Sequence, residues 1–586
     1  MRVVAPRDAE KKRPGFFIMR NKEITGSIQP DGRGVQFLYM SDGRIVSGAR
    51  IIGGIQDEEM LSMLVKTEDF RKLVYSIGVT VEMEEPEEVE FAFQMYGKRD
   101  PYGSGTTIRR SVRADGMEAV IRLEEVDWSE DDDVIGQIRF EMKEAGRFAK
   151  VSVRLYLMDG YTAPEPEPEE EVNFSSENYR NMCRTSVLQK GNLARLKRAL
   201  CRAKAGESIT VAYLGGSITQ GAGAIPIHTE CYAYQSFLGL CRLLGKKPEE
   251  LVYCKAGVGG TPSELGMLRY ERDVLRDGTR KPDIVIVEFA VNDEGDETKG
   301  ECYESLVRKI LGSDGEPAVI LLFSVFADDY NLQERLAPVG RTYDLPMVSV
   351  KDCVVPQFYD REHRIIRKSQ YFYDCYHPTN LGHRVMADCL LTLFDLAYEE
   401  LTKEVNVTDR QTAAVAVRKP LKERKLEEIA PYYGREFERV YLADRKDRQK
   451  ITILSEGDFT EQDEELQAVE MDQDLVPTKE FPYNWKHTGG SRPFVMEAEC
   501  SALLLINKDS ASPRAGIAEV FVDGEKVRSI NPRLNGWTHC NPLICFRGRE
   551  KKRYHIEIAM QPGDEDKEFT ILGFGLVDGE AGNVQG

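Results

Sequence analysis

Between residues 209 and 401 the chain alternates short, β-branched apolar runs with longer amphipathic segments, a rhythm that leaves few folds open. "ITVAYL", "ELVYCK", "DIVIVEFA" and "AVILLFSVF" read as strands, whereas "YAYQSFLGLCRLLG", "PSELGMLRYERDVL", "YESLVRKIL" and "LGHRVMADCLLTLFDLAYEEL" read as helices. Strands joined through helices run parallel, and a parallel sheet is covered by helices on both faces. The expectation is a three-layer α/β unit with a parallel sheet over residues 178–405.

In such sheets ligands bind beyond the carboxyl ends of the strands, so the polar residues that follow each apolar run carry the chemistry. The first run ends in "GGSITQG", where glycine permits a tight path that exposes Ser217. The second ends in "KAGVGGTPSE": Thr261 and Glu264 have capping-box spacing around Pro262, so Gly260 is expected where a helix begins and backbone N–H groups point outward. The third ends in "EFAVNDEG", presenting Asn292 and Asp293. Ahead of the last helix, "YDCYHPTNLGHR" sets Asp374 three residues before His377. Each feature also has a plain structural reading: a Gly-Ser turn, a helix start, an asparagine cap, a solvated carboxylate.

Taken in order, "GGSIT", "KAGVGGT", "AVND" and "DCYHP" resemble the blocks of the SGNH or GDSL-type hydrolases, over roughly residues 180–400. The sequence departs from that pattern at Gly216, where aspartate is frequent, at Lys255, where asparagine often opens the block, and at Ala290, where glycine is common. The resemblance implies Ser217 as nucleophile, His377 as general base and Asp374 as its orienting carboxylate. It also implies an oxyanion hole from the backbone N–H groups of Ser217 and Gly260 and the side-chain amide of Asn292. No cofactor and no metal is expected. His377 and His383 lack the i,i+4 spacing of a helical zinc pair, and there is no CxxC for a structural zinc. Glu288 and Asp293 as a glycosidase pair would leave the serine and histidine unexplained, and Cys375 reads as packing, not as a thiol nucleophile.

On either side the texture changes. "APEPEPEEEV" at 163–172 forbids a helix and favours an extended spacer, giving an N-terminal domain over 1–162 and a linker over 163–177. The N-terminal part, with "EVEFAFQMY", "MEAVIRL", "IGQIRFEM" and "AKVSVRLYLMDG", reads as an all-β sandwich. Residues 406–586 return to short strands and read as a second, jelly-roll-like sandwich. This arrangement resembles multidomain bacterial carbohydrate esterases. In "FPYNWKHTGG" and "RLNGWTHCNP", Trp485 and Trp537 are candidate sugar platforms, the alternative being core or loop packing.

Composition closes off other classes. A net charge of −19 opposes nucleic acid and anionic membrane as partners, and no apolar stretch approaches the roughly 20 residues of a membrane span. The start, "MRVVAPRDAEKKRPGFF", lacks an apolar signal region, so a cytoplasmic location is expected. Nine of the twelve cysteines fall between Cys183 and Cys389 with no repeated spacing, as expected of free thiols in a reducing compartment. The reading is a serine esterase that removes O-acetyl groups from short acetylated oligosaccharides. Another small-ester hydrolase or acyltransferase, and a catalytically silent carbohydrate-binding scaffold, are the alternatives; the oligomeric state is not set by the sequence.

Overall fold

The computed structural model describes residues 13–407 and 425–579, except 42, 449 and 475. The N-terminal dozen and residues 408–424 lie outside the described residues, so the expected start of the C-terminal domain at 406 falls in the last turn of the helix Asn380–Val407.

The central sheet has six strands in the order Val187–Gln189, Met347–Ser349, Ala318–Phe323, Ile284–Glu288, Thr210–Gly215, Val252–Gly257. Four of its five pairings are parallel, and only the short edge strand Val187–Gln189 runs antiparallel. Every residue of the strands starting at Thr210, Ile284 and Ala318 is buried, the burial that continuous apolar runs demand. Alternate side chains serve opposite faces. Val211 and Tyr213 join a core with Phe237, Leu240, Leu390 and Phe394, whereas Ala212 and Leu214 join one with Leu265, Leu268, Leu306 and Ile310. Gly215 pairs in register with Gly257 on one side and Glu288 on the other, so the three loops that carry the polar blocks leave the sheet at one level.

The N-terminal unit contains two antiparallel sheets of four and five strands, in the orders 15–25, 148–157, 74–82, 115–122 and 27–28, 34–39, 132–142, 88–97, 107–113. It is not all-β. Helices Arg44–Ile51, Glu58–Met63 and Thr67–Leu73 contribute Ile45, Ala49, Met60, Leu61, Phe70 and Leu73 to its core. These segments are only two turns or less, too short for a helical period to stand out, although Asp57 caps the second by accepting from the N–H groups of Glu59 and Met60. The Pro/Glu segment forms neither helix nor strand, and it is pinned: the Glu167 carbonyl accepts from Arg20 at 2.8 Å, Glu169 from Ser369 at 3.2 Å and the Glu170 carbonyl from Gln370 at 2.8 Å.

The C-terminal unit builds two five-stranded sheets and a small two-stranded one. Its hairpin Ala518–Val522/Glu525–Ile530 turns through Asp523 and Gly524 at φ 52° and 81°, the left-handed pair that a two-residue turn requires. One of its sheets shares a core with the hydrolase unit: Phe437, Val440, Ala502, Leu504, Ile506 and Leu572 pack with Leu265, Met267 and Leu306. Close approach is allowed at Gly575, where a Cβ would fall 2.4 Å from the Leu268 side chain. All twelve cysteines are free thiols, ten of them buried. No helix among the described residues is long and apolar enough to cross a membrane.

Candidate active site

Ser217 opens a single helical turn, Ser217–Gln220, directly after the strand Thr210–Gly215. The turn is held from several sides. Arg269, fully buried, donates to the carbonyls of Gly215 and Ala256 at 2.8 Å each and so ties two strand ends together. Lys255 donates to the Gln220 carbonyl at 2.8 Å, which caps the turn's C-terminal end and gives this departure from the family pattern a structural role. Glu288 accepts from Thr219 Oγ1 at 3.2 Å, from Ser324 and from the Gly216 N–H. Burial pushes Glu288 up to about 7 in spite of those hydrogen bonds; fully buried and bonded to the serine turn, this carboxyl braces that turn and cannot reach a glycosidic bond.

His377 Nε2 lies 3.0 Å from Ser217 Oγ, and its Nδ1 lies 3.0 Å from both oxygens of Asp374. A carboxylate only accepts, so Nδ1 carries the proton and Nε2 faces the serine as an acceptor. Asp374 Oδ1 also accepts from the N–H groups of Tyr376 and His377 at 2.8 Å each. Burial pushes its carboxyl up, but the charge and hydrogen bond of His377, the Arg44 guanidinium and the Tyr376 N–H outweigh that and hold it well below the ordinary carboxylate range. His383 stands apart from this relay. It accepts from the Tyr232 N–H at 3.2 Å, donates to the Ala222 carbonyl at 3.0 Å, and burial pushes it down to about 3, so it is a neutral core histidine. Cys375 donates its N–H to Ser47 at 2.8 Å and burial pushes its thiol up, in keeping with packing.

Gly259, the neighbour of Gly260, and Asn292 both lie against the serine turn. A Cβ on Gly259 would lie 3.7 Å from Ser217 Cβ, and one on Gly216 would lie 2.1 Å from Asn292 Oδ1. Any side chain at position 216 would therefore displace Asn292. Asn292 makes no side-chain cap, and its buried Oδ1 accepts no hydrogen bond among the described residues, so the amide is not consumed by the turn. Gly260 has φ 72°, a left-handed conformation. The expected Thr261/Glu264 capping box does not form. Thr261 donates back to Val258 at 2.8 Å, and the helix Ser263–Asp273 is capped from outside by Asp293, which accepts from the Ser263 N–H at 2.7 Å and its hydroxyl at 2.9 Å.

The two tryptophans part company. Trp485 is fully buried between Phe494 and Phe574 and cannot touch a substrate, which overturns its assignment as a sugar platform. Trp537 is 45% exposed, and its ring edge lies against Gly260, 2.7 Å from where a Cβ would stand. Across the histidine, exposed Tyr376 packs on Phe326 with ring centroids 5.0 Å apart.

Two further C-terminal residues, which the sequence did not single out, hold the glycine loop. Gln467 donates to the Gly259 carbonyl at 2.8 Å and accepts from the Cys540 N–H at 3.0 Å. His539 Nε2 donates to the Gly260 carbonyl at 3.1 Å, with Asp509 3.5 Å from its other nitrogen. The Gly259 carbonyl and the Gly260 N–H belong to one planar peptide, so Gln467 fixes the direction in which that N–H points. Chemically, the arrangement offers a hydroxyl beside an imidazole, a charged orienting group and backbone donors on a braced loop.

Residues 213–385 match the family model described as the GDSL-like lipase/acylhydrolase family, and the chain thus carries a domain of that family. Among solved structures, it is similar to a two-domain esterase (CEX) active on acetylated mannans, at 25% identity and a TM-score of 0.55, over 68% of this chain and 99% of that one. The same esterase co-crystallised with mannopentaose matches at 25% identity and a TM-score of 0.55, over 68% of this chain and 98% of that one. No curated protein matches this chain.

Proposed function

We propose that this chain is a serine esterase that removes O-acetyl groups from acetylated oligosaccharides, with acetylated manno-oligosaccharides as the first substrates to test. The observation that carries the reading is the unbroken relay Ser217–His377–Asp374 at 3.0 Å steps. Ser217 Oγ attacks the acetyl carbon while its proton passes to His377 Nε2; the ester oxygen then takes that proton and leaves as the sugar hydroxyl. Water attacks the acyl-serine in the same way, giving acetate and free Ser217. The N–H groups of Ser217 and Gly260 and the Asn292 amide hold the oxyanion of both tetrahedral intermediates. Asp374 keeps the imidazole oriented and balances its transient charge.

Support for a sugar comes from exposed Trp537 beside Gly260, a flat face offered next to the acyl site, and from the likeness to an esterase active on acetylated mannans. On the same reading the chain divides into an N-terminal unit of two β-sheets with three short helices up to 162, a linker over 163–177, a three-layer hydrolase unit that includes the helix Asn380–Val407, and a C-terminal jelly-roll-like unit after it. The test is acetate release from acetylated manno-oligosaccharides by the full chain and by Ser217→Ala. Activity in the first and none in the second, at equal thermal stability, is expected. Equal activity in both rejects the mechanism, and cleavage of p-nitrophenyl acetate without acetate release from the sugars rejects the substrate class.

A further inference from the structure

The loop that bears Asp374 and His377 rests against the N-terminal unit. Helix Arg44–Ile51 lies flush on the strand Gly15–Thr25 because Gly48 has no side chain; a Cβ there would stand 2.3 Å from the Ile18 carbonyl. This seating carries two polar groups of the helix across to the hydrolase unit. Arg44 Nε donates to Asp374 Oδ2 at 3.1 Å, and Ser47 Oγ accepts from the Cys375 N–H at 2.8 Å. Nearby, Glu23 accepts from Asn380 at 2.8 Å, Lys22 lies over the Tyr373 ring, and Ile225 of the hydrolase unit enters the N-terminal core.

We propose that the N-terminal unit is a working part of the active site, in which Arg44 is a positioning residue that holds the Asp374 carboxylate in the plane His377 needs and tunes the pH range of the reaction. The proposal rests on the reading of Ser217, His377 and Asp374 as a catalytic relay. Its physical content lies in how the acceptor sites of the carboxylate are filled. Oδ1 accepts from two backbone N–H groups, His377 Nδ1 lies 3.0 Å from both oxygens, and Arg44 donates to Oδ2, the oxygen that the backbone donors leave open. A charge-assisted bond at that point resists rotation of the carboxylate out of the imidazole plane.

The charge matters as well. Asp374 faces Arg44 and Lys22 from the N-terminal unit, and His377, Cys375 and Tyr376 from its own loop, with Asp328 beyond Tyr376. His377 in turn faces Asp374, Glu288 and His383. Burial pushes the Lys22 ammonium well below the usual lysine range, so Arg44 is the durable cation of this group. Part of the aspartate's field is thereby neutralised. Removing the guanidinium favours the imidazolium, which is inactive as a base, so activity is lost at a higher pH.

The test uses the full chain and p-nitrophenyl acetate, with kcat, KM and the pH dependence of kcat/KM measured for Arg44→Gln and Arg44→Lys. Arg44→Gln is expected to lower kcat by about tenfold or more while KM stays within about twofold, the scale of losing one hydrogen bond to a charged group. Its acid limb should move up by at least about half a pH unit, and Arg44→Lys, which keeps the charge without the planar fork, should leave the limb in place. Because the Arg44 side chain is 30% exposed, added guanidinium should restore activity to Arg44→Ala, a readout that survives if the glutamine variant folds poorly. An unmoved acid limb with unchanged kcat, or a loss confined to thermal stability without guanidinium rescue, overturns the proposal. Ser217→Ala measured alongside separates the two readings: if it is inactive while Arg44→Gln behaves as the native chain, only the role of Arg44 falls, and if it stays active, the relay itself falls.

Discussion

Replacing Gln467 with leucine tests whether the C-terminal unit aims the oxyanion hole. In the native chain the Gln467 side chain joins two buried groups, the Gly259 carbonyl at 2.8 Å and the Cys540 N–H at 3.0 Å. Leucine of similar length leaves both unpartnered, at about 1–3 kcal/mol each, so stability should fall by roughly 2–6 kcal/mol. The catalytic effect is separable. A single oxyanion donor is worth about 10²–10³ in kcat, and the variant keeps the Gly260 N–H but frees its peptide plane, so a loss of about 10- to 100-fold is expected. KM should change by less than about twofold, because the donor engages the tetrahedral intermediate more strongly than the ground-state carbonyl. Steady-state kinetics on p-nitrophenyl acetate, well below the variant's melting temperature, give both numbers. A variant whose melting temperature falls while kcat stays within about twofold would refute the reasoning, leaving Gln467 as a brace for the interface alone.

Asn292→Ala should lower kcat by about 10²–10³ with little change in KM; a change confined to KM would make Asn292 a substrate anchor instead. Trp537→Ala should impair cleavage of acetylated oligosaccharides by well over about tenfold and leave p-nitrophenyl acetate hydrolysis nearly intact, since the small ester has no ring to stack. Equal loss on both substrates would assign Trp537 to support of the Gly260 turn. Glu288 carries a pH signature. Burial raises its folded pKa to about 7 from an ordinary 4.5, so its contribution to stability is full below about 4.5 and is lost as pH rises through about 7. Between those limits the native chain should lose on the order of 3 kcal/mol relative to Glu288→Gln in denaturant titrations. Parallel pH profiles for the two proteins would show that Glu288 titrates normally.

The sequence by itself determined the central sheet and the place of its chemistry. Continuous apolar runs at 210–215, 284–288 and 318–323 have no stable state except burial on both faces, and the loop that follows a parallel strand emerges at one edge, so the places of Ser217, Gly260 and Asn292 were legible from local pattern, while their roles came only from the family resemblance. The three-residue strands 187–189, at one edge, and 347–349, beside it, were not legible, because three residues carry no period. Other decisions belonged to the tertiary structure. Gln467 lies 208 residues from Gly259 and Arg44 lies 330 residues from Asp374, and no local spacing encodes a hydrogen bond between surfaces that meet only after folding. The tryptophans show the same limit most plainly. "NWKH" and "GWTH" have the same Trp-x-His pattern, yet Trp485 sits in a strand whose inward face closes a core, whereas Trp537 sits in the turn before the strand His539–Phe546 and stays open beside Gly260. Which face of a strand turns inward depends on the partners it pairs with, and a shift of one residue would have exchanged inside for outside.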